Sequence, residues 1–187
     1  MSETGTDDFS PLDQLPGDLM MWVLIVSELL VFGAGLAAFL GVRITDPAGF
    51  AASQDLLHRT AAGVNTLVLV TSGFLAALAV RSAEAGRIGA TRVRLAAASA
   101  LGLVFLVIKG LEYLEKARHG IGIETDSFFT FYYLLTGFHA AHVIAGIVIL
   151  GLVGIRCAPR TVEVGAAFWH MVDLVWVLLF PVIYLLR

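Results

Sequence analysis

Five long apolar blocks dominate the sequence, and each is long enough to cross a lipid bilayer as an α-helix, which takes about 20 residues. The blocks cover approximately residues 18–42, 61–80, 94–114, 128–155 and 164–186. Apolar and polar residues do not alternate within them, as they would in the strands of a transmembrane barrel. The sequence therefore predicts an all-α integral membrane bundle of five transmembrane helices.

The composition agrees with lipid as the surrounding solvent. Of the 187 residues, 58% are hydrophobic and 14% are charged, whereas soluble domains carry about 25% charged residues. The net charge of −3 does not bear on nucleic acid as a partner, and no basic stripe indicates one. Cys157 is the only cysteine, so an intrachain disulfide is excluded.

The apolar blocks form a single transmembrane domain, residues 18–187, joined by short connections. Residues 1–17 are acidic and polar, and we expect them to be a disordered tail. They lack the basic start of a secretory signal peptide, so the first helix is expected to be retained. Arg43–Thr60 is the longest connection. Pro47 is expected to end the first helix there, and the following stretch FAASQDLLHR has a helical period suited to the membrane interface.

The Lys and Arg residues of the connections set the expected orientation, because short cytoplasmic loops are enriched in them. Of the 12 basic residues, Lys109 lies inside a helix, which leaves 11. They divide 6 to 5, which favours a cytoplasmic N-terminus and an external C-terminus. The side of the N-terminus has Arg81, Arg87, Arg92, Arg94, Arg156 and Arg160, and the opposite side has Arg43, Arg59, Lys116, Arg118 and Arg187.

Eight polar residues inside the apolar blocks are the candidate functional residues. An ionisable group at the centre of a bilayer costs at least about 2.5–3.5 kcal/mol, so such groups face the interior of a bundle and find partners. The spacing i, i+3 predicts that Lys109 pairs with Glu112, and His170 with Asp173, along one helix each. The predicted intramembrane polar network comprises Glu28, Asn65, Lys109, Glu112, His139, His142, His170 and Asp173.

The histidines of this network do not fit a metal centre. A b-type haem takes axial histidines that face each other across a cavity. A di-iron carboxylate bundle takes Glu-x-x-His motifs, which neither Glu28 nor Glu112 provides. We therefore expect no catalytic, cofactor-binding or metal site of the chain's own. His139 and His142 share one helical face and are expected to hydrogen-bond between helices.

The aromatic residues and glycines have structural interpretations. The run FFTFYYLL at 128–135 is typical of an aromatic belt at the membrane interface. Trp169, Trp176 and Phe180 suit either lipid contact or packing. Glycines let membrane helices approach closely, and the expected positions are Gly33, Gly35, Gly137, Gly146 and Gly151.

Five motifs, in order along the chain, carry a resemblance to a known family. They are LIVSELLVF (24–32), NTLVLVTSG (65–73), KGLEY (109–113), TGFHAAHVIAG (136–146) and FWHMVDLVWVLLFPVIYLL (168–186). The chain resembles subunit III of the haem–copper oxidases over nearly everything after Pro16. Within that family, its five helices, short length and PGDLMMW start are most like NorE, the accessory protein associated with nitric oxide reductase.

The resemblance implies a non-catalytic accessory subunit that supports turnover of a haem–copper catalytic subunit, either subunit I-like or nitric oxide reductase. It implies no cofactor beyond structural phospholipid, and a bacterial inner (cytoplasmic) membrane location with a cytoplasmic N-terminus. Glu28 matches the family's buried glutamate, and His139 and His142 match its paired histidines. His170 and Asp173 match its Trp-His-x-x-Asp motif.

The chain differs from full-length subunit III because it lacks two N-terminal helices. Those helices form one wall of a lipid-filled cleft in the larger protein. In this chain the cleft is therefore either absent or open directly to the bilayer.

A second interpretation stays open: a small intramembrane proton-conducting or transport protein that uses the polar network as a relay. Helical rise places the ionisable residues of the network in three successive layers across the membrane, as a relay requires. A transporter of five helices would lack the internal repeats common in that class. For this reason we favour the accessory subunit.

Depth along the helices also predicts which polar groups meet. Glu28 and His142 differ in depth by roughly 5 Å at helical rise, a gap that helix tilt closes. We expect these two side chains to face one another, and we expect His139 to turn towards Glu112.

Overall fold

In the computed structural model, the chain is described from residue 19 to residue 186, and this part consists of helices and short connections. Within it, five helices are long and apolar enough to cross a membrane, so the predicted all-α bundle with five spans is confirmed. The acidic tail predicted over residues 1–17 lies outside the described residues. The bounds are α1 Leu19–Thr45, α2 Pro47–Asp55, α3 Arg59–Glu84, α4 Ile88–Arg118, α5 Ser127–Arg156 and α6 Pro159–Phe180, followed by a π-helical turn at Pro181–Leu185.

Two membrane helices begin well before the apolar blocks that predicted them. α4 begins at Ile88 rather than at residue 94, and α6 begins at Pro159 rather than at residue 164. Proline suits the first turn of a helix, where its missing N–H leaves no hydrogen bond unmade. In α4, Arg92 donates to the carbonyl oxygens of Gly154 and Ile155, at 3.1 and 3.0 Å. Both helices therefore begin in polar sequence ahead of their apolar blocks. Hydropathy alone does not indicate these starts.

Residues 47–55, within the longest predicted connection, form the short helix α2. Pro47 ends α1 as expected and is also the first residue of α2. The Asp46 side chain caps α2 by accepting from the N–H of Gly49 at 3.0 Å. Gln54 donates its side-chain N–H to the carbonyl oxygen of Ile183 at 2.8 Å. α2 is thereby tied to the π-helical turn that ends α6.

Four helices form a ring, and α1 lies outside it. α3 and α5 each pack on both α4 and α6, while α1 packs on α5 and α6. Only Phe32, Phe39 and Arg43 of α1 are buried. We call the membrane side where α1 begins the N side, and the side where it ends the C side. Short connections make consecutive spans antiparallel, so α4 and α6 run from the N side to the C side, and α3 and α5 run back.

A tryptophan fills the N-side half of the ring. Trp169 of α6 is fully buried and lies between Gly102 of α4 and Gly146 of α5. A Cβ atom added at either glycine would come within 2.6 Å of the indole ring. Trp169 donates its indole N–H to the hydroxyl of Ser72 on α3 at 3.0 Å. One side chain thus contacts the three other helices of the ring.

The predicted role of the glycines holds at some positions and not at others. Gly146 gives room to Trp169, and a Cβ at Gly35 would come within 2.6 Å of Leu135. A Cβ at Gly33 or Gly151 would meet nothing within 4 Å. Close helix approach is therefore wrong as an explanation of these last two glycines.

The predicted aromatic belt at 128–135 is largely wrong. Phe128 and Phe129 are 1% exposed and Tyr132 is 0% exposed. Phe128 packs edge-on against Phe39 and Phe50, with ring centroids 5.9 and 5.7 Å apart. Phe50 belongs to α2, which covers this end of α5. The aromatic run is therefore a core element of the C side.

Candidate functional site

A buried lysine is the centre of the best-connected polar cluster. Lys109 of α4 is 2% exposed, and its ammonium donates to the Glu112 carboxylate and to the Tyr132 hydroxyl, both at 3.0 Å. It also donates to the hydroxyl of Tyr184, which lies in the π-helical turn. The Tyr184 hydroxyl donates in turn to the Glu112 carboxylate at 3.1 Å. We call these four residues the lysine cluster. It confirms the predicted Lys109–Glu112 pair.

Aromatic faces surround the ammonium of the lysine cluster. The rings of Tyr113, Tyr132, Trp176 and Tyr184 have centroids 4.5 to 5.4 Å from Lys109 Nζ. At these distances the ring quadrupoles attract the cation. The ammonium has three oxygen acceptors, and one of them, the Glu112 carboxylate, balances its charge. Its hydrogen-bonding capacity is therefore used within the fold.

Glu28 and His142 meet between α1 and α5, as expected from their depths. The carboxylate oxygen Oε2 lies 3.2 Å from His142 Nε2, and the side chains are 26% and 15% exposed. His142 Nδ1 lies 2.9 Å from the carbonyl oxygen of Phe138, which only an N–H at Nδ1 can satisfy. Nε2 of a neutral ring would then be an acceptor. The two groups are in contact, but Glu28 Oε2 accepts no hydrogen bond from residues 19–186.

His139 does not turn towards Glu112, so that expectation is wrong. The Glu112 carboxylate is occupied by Lys109 and Tyr184. His139 is 0% exposed, and neither ring nitrogen has a hydrogen-bond partner among residues 19–186. Its ring packs against Phe105 and Trp176, with centroids 5.5 and 5.2 Å apart. His139 thus behaves as a packed core residue.

Asn65 ties α3 to α4 and has one unused acceptor. Its side-chain N–H donates to the carbonyl oxygen of Phe105 at 3.2 Å. Its side-chain oxygen Oδ1 is buried without a partner in the described part of the chain.

His170 and Asp173 do not form the predicted pair. Asp173 is 8% exposed and His170 is exposed, and no hydrogen bond or ion pair joins them within the described range. The Asp173 carboxylate lies over Gly73 of α3, where an added Cβ would collide with it. The spacing i, i+3 places both residues near one face, but the carboxylate is turned towards the neighbouring helix.

The sequence did not indicate several polar residues that complete these clusters. Tyr132 and Tyr184 supply hydroxyls to the lysine cluster. Gln54 and Lys116 bond backbone carbonyl groups around α2. The only sequence signal was their position inside or beside apolar blocks, because their partners come from other helices.

A groove of about 570 Å³ opens towards the bilayer between α1, α5 and α6. Glu28 lies on its wall, and most other lining side chains are apolar. Its remaining lining residues are Met20, Met21, Val23, Leu24, Ile25, Ser27, Ile149, Val164 and Phe168.

No group of three or more His, Cys, Asp or Glu residues within the described range could hold a metal ion. The polar residues divide into the lysine cluster, the Glu28–His142 pair, His139, Asn65 and the Asp173 region. The Asp173 region consists of Asp173 and His170, which both lie against Gly73. No hydrogen bond between side chains links one of these to another over residues 19–186. The arrangement positions ionisable side chains, and it pairs most of them with other residues of the bundle.

The fold and these clusters define a multi-pass membrane protein with ionisable groups held between its helices. The family model for cytochrome c oxidase subunit III matches residues 17–187, and the chain belongs to that family.

Curated relatives are similar over most of the chain. The probable cytochrome c oxidase subunit 3 of Mycobacterium leprae is 32% identical over 173 residues, which cover 88% of this chain and 85% of the relative. The cytochrome c oxidase subunit 3 of Corynebacterium diphtheriae is 31% identical, with 88% and 86% covered. The heme-copper oxidase subunit I+III of Aeropyrum pernix is 30% identical over 181 residues, which cover 88% of this chain and 22% of that protein.

Proposed function

We propose that this chain is a non-catalytic accessory subunit of a haem–copper respiratory complex, where it stabilises the catalytic subunit and supports its turnover. The observation that carries the proposal is the similarity to the protein named heme-copper oxidase subunit I+III. That name joins subunits I and III, and this chain aligns with 22% of the protein. A chain of the same family that is separate from subunit I is expected to bind it non-covalently.

The experiment is a pull-down of the tagged chain in mild detergent, followed by mass spectrometry and a haem spectrum. We expect a haem-containing catalytic subunit to be recovered with the chain. Metal analysis of the chain freed from that subunit should find no stoichiometric haem, copper or iron. A colourless preparation without a catalytic subunit would contradict the proposal.

The finer form of the proposal is a NorE-like partner of nitric oxide reductase. It rests on the PGDLMMW start and on the resemblance of the whole chain. Short length does not distinguish the two partners, because the alignments with oxidase relatives cover 85% and 86% of those proteins. The catalytic subunit recovered in the pull-down should reduce nitric oxide. If it reduces only oxygen, the accessory role still stands but the NorE assignment is wrong.

The proton-conducting alternative has less support than the accessory role. A relay needs a continuous series of hydrated groups. In the described range the rings of Phe105 and Trp176 pack against His139, and Phe32 packs edge-on against both His139 and His142. Aromatic rings thus lie beside His139 where a relay would need hydrogen bonds. Proton uptake by liposomes containing the purified chain alone would favour this alternative.

We further propose that a phospholipid acyl chain occupies the groove between α1, α5 and α6. The lining is mostly apolar and the groove faces lipid, so a hydrocarbon chain fits its chemistry. Delipidation followed by mass spectrometry should find phospholipid retained by the chain. Replacement of Val164 by Trp, which narrows the groove, should lower the amount retained.

The orientation is a proposal as well: the N side faces the cytoplasm. It rests on the 6 to 5 distribution of Lys and Arg and on the family resemblance. A topology reporter fused before Ser10 should read as cytoplasmic, and one fused after Arg187 as external. Opposite readings at both ends would reverse the orientation and leave the fold unchanged.

A further inference from the structure

Asp173 places a carboxylate in the middle of the membrane without a hydrogen-bonding or ionic partner among residues 19–186. In the span Pro159–Leu185, 14 residues precede it and 12 follow, so it lies roughly 20 Å from either end at helical rise. Its Oδ1 atom is buried without a hydrogen bond, and neither carboxylate oxygen has an ion pair within residues 19–186. Lipid headgroups lie too far away to reach it. A carboxylate at this depth is costly unless it is paired.

The neighbouring helix is shaped around this carboxylate. A Cβ added at Gly73 of α3 would collide with Asp173 Oδ2 and would lie 3.4 Å from His170 Nδ1. Gly73 lies near the middle of the span Arg59–Glu84. Both polar side chains of α6 therefore rest on the same point of α3, at the same depth. His170 is exposed there, so this polar site opens towards the outside of the bundle.

An apolar surface surrounds the opening. On α3, Val70 is 48% exposed and Phe74 is 62% exposed; on α6, Leu174 is 46% exposed and Val177 is 42% exposed. Spacings of three, four and seven residues put these side chains on the outer face of each helix, next to Gly73 and His170. We call this surface, with His170, the α3–α6 face.

The chemistry of the face specifies one kind of occupant. Its rim is apolar and its centre is an acid with an adjacent imidazole, so the complement is an apolar helix with one cationic donor. A guanidinium or ammonium group pairs with a carboxylate through charge-assisted hydrogen bonds. Basic residues within membrane spans face protein rather than lipid and pair with acids there.

We propose that the α3–α6 face docks a transmembrane helix of the catalytic subunit that carries an Arg or Lys opposite Asp173. This inference rests on the proposed accessory function and names the docking surface for it. The lysine cluster cannot have this role, because its charges are paired inside the fold.

The first experiment locates the interface by photo-crosslinking in the intact complex. A photo-reactive phenylalanine analogue is placed at Phe74 on the face, and at Leu152 of α5 as a matched control, which is 62% exposed elsewhere. We expect Phe74 to crosslink to a transmembrane peptide of the catalytic subunit that contains Arg or Lys. Crosslinks from Leu152 alone would overturn the docking face.

The second experiment measures the contribution of the acid. Asp173→Leu should lower the catalytic subunit recovered per tagged chain roughly ten-fold, equivalent to about 1.4 kcal/mol of binding, and Asp173→Asn should lower it less. Glu163→Leu makes the same change at an exposed position of α6 and should leave recovery unchanged. Leucine at the partner's basic residue should reproduce the loss and add nothing to Asp173→Leu.

The outcomes separate the two proposals. Normal recovery with Asp173→Leu overturns the docking face, while the accessory function stands. Failure of the unmodified chain to recover any catalytic subunit contradicts the accessory function. A crosslink from Phe74 to a second copy of this chain, or to lipid only, overturns the docking proposal.

Discussion

The lysine cluster and the Asp173 region both place ionisable groups inside the membrane, but only the lysine cluster pairs them within residues 19–186. Lys109 has three acceptors within 3.0 Å, one of which is a carboxylate. Asp173 has no partner among the described residues, although His170 is its neighbour. A charge that is paired within its own chain stabilises the fold. The lack of such a partner for Asp173 among residues 19–186 is the basis of the proposed contact with a second protein.

Among the variants that test this comparison, Lys109→Leu is expected to cause the largest loss of stability. It leaves the Glu112 carboxylate buried and without its cation, and breaking a buried pair in this way costs about 3–5 kcal/mol. We expect a marked fall in the thermal midpoint of the isolated chain. Fluorescence-detected size exclusion in mild detergent measures this midpoint.

The matched control is Arg118→Leu, which removes a positive charge from the exposed end of the same helix. It should change the midpoint little. Adding Glu112→Leu to Lys109→Leu should recover part of the lost stability, because both buried charges are then removed. Equal losses for Lys109→Leu and Arg118→Leu would show that the cluster does not stabilise the fold.

Tyr184→Phe is expected to have the next largest effect. It removes a hydroxyl that accepts from Lys109 and donates to Glu112, and hydrogen bonds to charged groups contribute about 1.5–3 kcal/mol. Tyr133→Phe removes a hydroxyl that donates to the neutral carbonyl of Ile121 at 3.0 Å. Its loss should be nearer 1 kcal/mol. Thermal midpoints of the two variants, measured side by side, check the difference, and equal losses would contradict it.

The Glu28–His142 pair is partly buried, with side chains 26% and 15% exposed. Its effect on stability should lie between those of the lysine cluster and Asp173. Glu28→Gln should be mild, since the amide N–H can donate to the imidazole, and hydrogen bonds between membrane helices average about 0.6 kcal/mol. His142→Leu should reduce assembly with the catalytic subunit more, because the Glu28 carboxylate then loses its contact. Recovery of the complex in pull-downs measures both effects.

Restored assembly in the double variant Glu28→Leu, His142→Leu would demonstrate the coupling. Cysteines at the two positions should also be joined by a short bifunctional thiol crosslinker, since a direct disulfide needs Cα atoms closer than about 7 Å. Normal assembly of His142→Leu would mean that the observed 3.2 Å contact has no role in the complex.

The smallest stability effect is expected at Asp173. In the isolated chain, Asp173→Leu removes a carboxylate that no described residue pairs. The free energy of unfolding should therefore change by no more than about 0.5 kcal/mol or increase, and the thermal midpoint should stay the same or rise. The same variant should weaken the complex. A large loss of stability in the isolated chain would place Asp173 in the same class as Lys109, and the comparison would fail.

The sequence predicts the bundle well because hydropathy is a property of each segment. It also predicts Lys109 with Glu112, since both lie on one helix at a spacing that brings them together. The same spacing fails for His170 and Asp173 because both side chains turn towards Gly73, on another helix, instead of pairing with each other. That rotation depends on how α3 and α6 pack, which no local pattern records.

Partners from distant segments were equally hidden. Tyr184 reaches Lys109 from the last turn of the chain, and Gln54 reaches Ile183 across 129 residues of sequence. Depth placed Glu28 opposite His142 correctly, but it placed His139 beside Glu112 without accounting for Lys109 and Tyr184, which had already occupied that carboxylate. Depth fixes one coordinate of a side chain, and helix rotation fixes the others.

The packing of Trp169 limits which substitutions this sequence can accept during evolution. The indole ring occupies space that exists because positions 102 and 146 lack a Cβ atom, so an alanine at either one requires a smaller or displaced side chain at 169. Substitutions at these three positions should therefore be correlated among homologues, although they lie on three different helices. In an alignment, such a correlated triplet would fix the relative rotation of α4, α5 and α6 without any coordinates.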